Sequence, residues 1–195
     1  MDTKITNETV ENLFKDLDLT AEHVTSRLER LMHSEARYIK DLKINVSNML
    51  NSKNLTKKES YLISLAVAVN QKHEALQQSF TRLALKEGAS EEEIAEAISI
   101  TSLMNVNNVF YRFRHYMDHE YYNQTPAGIK MSIMLNPVSG KEFFELLSLV
   151  ISALNGCEMC VRSHEDSVKQ HGASRDRIFD AVRLGAVIKG LITIL

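Results

Sequence analysis

An all-α fold is what this sequence predicts, and three observations carry it. Apolar residues recur at spacings of three and four, which gathers them on one face of a helix, whereas a strand would need a spacing of two. Only two prolines, Pro126 and Pro137, interrupt 195 residues, and glycine is sparse at seven. Two segments of the form Ser/Thr-x-x-Glu, Thr56-Lys57-Lys58-Glu59 and Ser139-Gly140-Lys141-Glu142, can close capping boxes at helix starts. The length suits one domain whose core needs no disulfide staples.

Taken in order, residues 5–17 form a short amphipathic helix, and Thr20 caps a longer helical region, whole or broken, reaching about Leu50. This N-terminal region, residues 1–52, shows no chemistry. Asn51-Ser52-Lys53-Asn54 reads as a loop. The Thr56 box then opens the next helix, and the Ser139 box opens the helix that carries Glu145.

The chain also repeats itself. Shifted by 84 positions without a gap, residues 64–90 fall on residues 148–174: Ser64, Leu65, Glu74, Ser79, Gly88, Ala89 and Ser90 recur as Ser148, Leu149, Glu158, Ser163, Gly172, Ala173 and Ser174. Gly88 and Gly172 can each take the left-handed position that ends a helix, with Ser90 and Ser174 capping the next. Two copies exclude a solenoid and point to a pseudo-symmetric helical domain. Residues 53–136 are a degenerate first repeat and residues 137–195 a second repeat carrying the active site. Opposite Glu145, Cys157, Cys160 and His164 the first copy has Tyr61, His73, Leu76 and Phe80, so packing alone does not require thiols and imidazole in the second.

A net charge of −2 gives no basic field for nucleic acid, and Arg112, Arg114 and His115 are diluted by Asp118 and Glu120. The first residues lack the order of a signal peptide, and no apolar run reaches the ~18 residues a bilayer span needs. A cytoplasmic protein is expected, in which a lone Cys-x-x-Cys is redox-active or metal-binding before it is a structural bridge.

Both cysteines of the chain, Cys157 and Cys160, form that motif, and His164 follows at helical spacing. Two thiols and a base therefore share one helix face. Asn155-Gly156 decides whether Glu145 can join them. In one unbroken helix Glu145 and His164 would lie about 28 Å apart, at 1.5 Å per residue. A turn at Asn155-Gly156 instead lets Glu145 fold back, and starts a new helix at Cys157 whose N-terminus favours a thiolate. A carboxylate holding an imidazole that takes a proton from a thiol is a general-base relay.

Beyond these residues, the runs Asn107-Asn108-Val109-Phe110-Tyr111-Arg112, Lys130-Met131-Ser132-Ile133, Asn136-Pro137, Phe144-Glu145-Leu146 and Ser152-Ala153-Leu154-Asn155-Gly156-Cys157 resemble the alkyl hydroperoxidase D (AhpD) family of the carboxymuconolactone decarboxylase superfamily. The resemblance covers about residue 36 to the end. It implies an all-helical protein, usually a homotrimer, that reduces organic hydroperoxides weakly and reduces the disulfide of a partner peroxiredoxin. It implies no bound cofactor, the electrons coming from dihydrolipoamide on a lipoylated protein. It also implies that Cys160 attacks the peroxide, that Cys157 closes the disulfide, and that Glu145 and His164 form the relay. Physical arguments for the attacking thiol pull apart: the helix end favours Cys157 by about 0.3–1 kcal/mol, while a base beneath Cys160 can do more. One departure is Met159, where some members carry a further relay histidine: either the Glu145–His164 pair suffices, or activity toward peroxide is reduced.

Other readings of the same residues stay open. Cys157, Cys160, His164 and Glu145 could bind zinc, and a carboxymuconolactone-decarboxylase-like enzyme would need no Cys-x-x-Cys. His115 and His119 share a helix face but read as solvated surface, His73 as a satisfied or exposed histidine, and the eight methionines as scattered core filler.

Overall fold

The computed structural model describes residues 7–195. Among them all regular structure is helical, ten α-helices and two short 3₁₀ turns. Helix α1 (Glu8–Asp16) is capped by Asn7, whose side chain accepts from the Thr9 and Val10 amides, and it buries Val10, Leu13 and Phe14. The beginning of the expected 5–17 helix lies outside the described residues.

The helical region expected from Thr20 takes its broken form. Thr20 opens only a 3₁₀ turn, Ala21–His23, where its backbone N–H donates to His23 Nδ1 at 3.2 Å. Thr25 then caps α2 (Ser26–His33), and Glu35 takes a left-handed φ of 51° before α3 (Tyr38–Leu50).

The remaining helices are α4 (Lys57–Asn70), α5 (Glu74–Lys86), α6 (Glu91–Met117), α7 (Glu120–Gln124), α8 (Lys141–Leu154), α9 (Glu158–Gln170) and α10 (Arg175–Ile192). Two of them form the centre. Every residue from Ser60 to Ala68 in α4 and from Phe143 to Ser152 in α8 is buried, as expected of helices apolar all round. Helices α5, α6 and α10 pack on α4, and α9, α6 and α10 pack on α8. Each fully buried side chain, such as Phe80 or Phe144, contributes roughly 1.5–3 kcal/mol. Gly185 sets the approach of α10 to α8, because a Cβ there would meet Val150 Cγ1 at 2.7 Å.

Three helix starts are tied by one cation. The Arg177 guanidinium, in the first turn of α10, donates to both oxygens of Glu142 (2.8 and 3.0 Å) and both of Glu59 (2.6 and 3.1 Å). Burial opposes the charge of Glu59, but the Arg177 and Thr56 hydrogen bonds hold its carboxyl below the usual range. Glu59 also closes the expected Thr56 capping box.

The second expected box does not form. Glu142 is taken by Arg177, and Ser139 and Val138 donate their backbone N–H groups to buried Glu96 of α6, at 2.8 and 2.6 Å. Gly140, with φ 85°, stands at the helix start instead. Charged partners distant in sequence outcompete a weaker local cap. No helix among the described residues is long and apolar enough to cross a membrane.

Candidate functional site

The site begins where α8 ends. Asn155 is the last residue in helical conformation, and Gly156 takes φ 70°. The Gly156 N–H donates to Ala153 O at 3.2 Å and the Cys157 N–H to Ser152 O at 3.1 Å. This double bond pattern closes a helix through a left-handed glycine. The chain then reverses, and Cys157 is the N-cap of α9. Cys160 and His164 follow in its first two turns, both buried.

Six polar side chains fix the turn. Asn105 donates to Asn70 Oδ1 (2.7 Å), Asn70 to Asn155 Oδ1 (3.0 Å), Asn155 to Asn108 Oδ1 (2.9 Å) and Asn108 to Ser152 Oγ (2.9 Å). Arg112 donates to the Asn155 carbonyl at 2.6 Å. Helix α6 thus clamps the end of α8 from several residues at once, and each amide in the chain polarises the next. Sequence spacing had no access to these partners, which lie 35 or more positions apart.

The reversal brings Glu145 back over α9. Its Oε2 lies 2.7 Å from His164 Nδ1, and both side chains are buried. Lys141, one turn before Glu145, places its ammonium 3.5 Å from the other carboxylate oxygen and donates to Met134 O at 2.7 Å. Burial raises the Glu145 carboxyl, but the His164 hydrogen bond and charge, then Lys141, more than offset this and hold it below the usual range. An ionised carboxylate can only accept, so Nδ1 of His164 donates to it, and whenever the imidazole is neutral its lone pair is on Nε2. The sequence places Lys141 inside the Ser139 box and gives it no part in the site, although its spacing of four from Glu145 is visible there.

Cys157 and Cys160 are joined as a disulfide. Cys160 lines a cleft of about 370 Å³ with His164 and Ser163 of α9. Asn107 and Tyr111 of α6 form one wall, and Met131, Met134 and Met159 the rest. Three of the eight methionines therefore gather at one opening, and the core-filler reading is corrected for them. Cys157 is more enclosed, 1% exposed against 7% for Cys160.

The other candidates separate from this centre. His73 is the N-cap of α5, accepting from the Leu76 N–H at 3.2 Å. His119 caps α7 in the same way, and His115 is exposed. No group of three or more His, Cys, Asp or Glu side chains among the described residues is arranged to hold a metal ion.

Known proteins resemble this chain in sequence and in fold. The sequence matches the profile of the Carboxymuconolactone decarboxylase family over residues 44–114 and 127–194. It is 35% identical over 168 residues to the alkyl hydroperoxide reductase AhpD of Solibacter usitatus, covering 86% of this chain and 94% of that protein. With the AhpD of Rhizorhabdus wittichii it shares 37% over 157 residues, 80% of this chain and 90% of the relative. A crystal structure from Burkholderia xenovorans, named "a putative gamma-carboxymuconolactone decarboxylase subunit", superposes with a TM-score of 0.69 over 98% of this chain and 94% of the other. At 12% identity it speaks for the all-helical fold alone. The chain belongs to the carboxymuconolactone decarboxylase family and, within it, to the AhpD group.

Proposed function

We propose that the protein is a thiol-dependent antioxidant oxidoreductase, an alkyl hydroperoxidase of the AhpD kind. The observation that carries the reading is a dithiol pair at a helix start, bonded as Cys157–Cys160, with His164 one turn beyond it and held by Glu145 at 2.7 Å. In the reduced protein the free Nε2 of His164 takes the proton of Cys160. The thiolate attacks the terminal oxygen of a hydroperoxide; the O–O bond breaks, Cys160 becomes a sulfenic acid, and the alkoxide leaves with the proton from His164. Cys157 then displaces hydroxide from the sulfenic sulfur, closing the disulfide and releasing water.

Two electrons and two protons restore the pair, and a dihydrolipoamide on a lipoylated protein supplies them by thiol–disulfide exchange. The same dithiol can pass its electrons to the disulfide of a partner peroxiredoxin. No bound cofactor is required by this cycle. The protein works as a homotrimer in the cytoplasm. A decarboxylase would turn over with both thiols blocked, and the thiol requirement separates the two.

The test is hydroperoxide consumption with dihydrolipoamide as donor, with and without a peroxiredoxin. Mass spectrometry after brief peroxide treatment then assigns the thiols. With Cys157→Ser, sulfenic acid accumulates on Cys160 after one turnover; with Cys160→Ser, Cys157 oxidises far more slowly. Faster oxidation of Cys157 would reverse the roles.

A further inference from the structure

Adjacent asparagines on α6 have opposite fates. Asn108 is satisfied on both sides, donating to Ser152 and accepting from Asn155. Asn107 is 6% exposed and lines the cleft beside Cys160. Its Nδ2 donates to Met131 Sδ at 3.3 Å, but its Oδ1 is buried without any hydrogen-bond partner. A buried acceptor left unpaired costs about 1–3 kcal/mol. A group left so calls for an explanation, and of the three such atoms among the described residues, with Ser60 Oγ and Ser148 Oγ, only that of Asn107 belongs to a residue lining the cleft.

The surroundings say what kind of donor. The cleft wall is built from the thioethers of Met131, Met134 and Met159, soft and adaptable surfaces for an apolar body. Met131 sits against the Nδ2 end of the same amide, and a methionine can repack as a group enters beside it. A ligand with one O–H at its reactive end and a hydrocarbon body satisfies both parts of the site.

We propose that Asn107 is the substrate-reading residue of the cleft, its Oδ1 accepting the terminal O–H of an organic hydroperoxide whose apolar body lies on the three methionines. The inference rests on the peroxidase reading above. It also fits the bond changes of that reaction. The oxygen attacked by the Cys160 thiolate is the one carrying the hydrogen, and it keeps that hydrogen as it becomes the sulfenic hydroxyl while the O–O bond breaks. An acceptor on this O–H therefore holds the reacting oxygen from encounter through transfer, and the departing alkoxide takes its proton from His164.

The experiment measures the two half-reactions apart in the full-length protein: oxidation of Cys160 by cumene hydroperoxide and by hydrogen peroxide, and reduction of the disulfide by dihydrolipoamide. Asn107→Leu, similar in volume but without an acceptor, is expected to slow oxidation by both peroxides on the order of tenfold, the worth of one hydrogen bond. Reduction by dihydrolipoamide should stay within about twofold, and Asn107→Gln should recover part of the loss. If the leucine variant does not fold, Asn107→Ser gives the same reading with a side chain too short to reach. Equal losses in both half-reactions, a loss confined to the reductive half, or no loss overturns the proposal. Wild-type protein whose Cys160 resists both peroxides overturns the peroxidase reading itself, and is recognised before any variant is made.

Discussion

Tyr61 and Phe80 hold the places in the first half of the chain that Glu145 and His164 hold in the second, 84 positions on. The geometry around the two pairs is alike. Helix α4 ends at a left-handed Lys72 (φ 58°) as α8 ends at Gly156. The Lys72 and His73 N–H groups donate to Val69 O and Ala68 O as those of Gly156 and Cys157 do to Ala153 O and Ser152 O. What differs is the cargo: stacked rings with centroids 6.5 Å apart in one half, an acid–imidazole pair at 2.7 Å in the other. The scaffold accepts either a dry aromatic contact or a buried polar one between the same two helices. The fold therefore does not need the acid and base, and their presence is a matter of chemistry.

Exchanging the pairs is the strongest way to break that comparison. His164→Phe alone leaves the buried Glu145 carboxylate without its imidazole, and we expect a loss of roughly 3 kcal/mol, as for other broken buried pairs. Glu145→Tyr with His164→Phe should regain most of that stability, because it copies the contact of the first half, yet lose about 10²–10⁴-fold in peroxide reactivity for want of a base. Thermal unfolding and peroxide kinetics of the two singles and the double complete the cycle. A double variant less stable than either single would show that the two sites are not interchangeable.

A smaller effect lies in the turns. Lys72 bears the cost of a left-handed conformation that Gly156 avoids, so Lys72→Gly should stabilise by about 1 kcal/mol and Gly156→Lys should cost about the same. Nothing lies within 4 Å of a Cβ at Gly156, and the penalty is conformational. A chemical denaturation midpoint that moves the other way in either variant would reject this.

The least visible difference appears only in acid. Tyr61 is pushed up, by burial first and then by the Glu87 and Asp16 charges, and stays neutral through the working range. Glu145 is held below its ordinary 4.5 despite burial, by His164 and Lys141. The folded protein therefore binds this proton more weakly than the unfolded chain does. Stability from the carboxylate is complete above pH 4.5 and is lost as pH falls through the lower folded value. Melting temperatures of wild type and Glu145→Gln should differ at pH 6, and the gap should shrink as pH falls below 4.5. A gap independent of pH would mean that ionisation of Glu145 contributes nothing.

Much of this was legible because it is local. Asn155-Gly156 announces a reversal through glycine's backbone freedom, and the reversal is what lets Glu145 and His164 meet. The Thr56 and Ser90 caps act within three residues of themselves. The misses are contacts across long stretches of chain. Ser139-x-x-Glu142 had the right letters for a cap, but Glu96 and Arg177 took both members. The methionine wall comes partly from the segment between α7 and α8, which has no helical period to reveal its facing, and partly from Met159. Arg112 gave no sign of its Asn155 partner, since nothing in spacing says which carbonyl a guanidinium will find.

The clamp on Asn155 also bears on how the molecule ages. Asn155-Gly156 is the only Asn-Gly step in the chain, and in a flexible peptide the glycine nitrogen of such a step readily attacks the asparagine side-chain carbon, turning amide into carboxylate. Here the Gly156 nitrogen is engaged with Ala153 O, and the Asn155 amide is held by Asn70 on one side and Asn108 on the other. The attacking atom and its target are each restrained by the folded structure. The native state thus slows a chemical clock that starts on unfolding, and the turn that presents the cysteines is durable for the same reason that it is well placed.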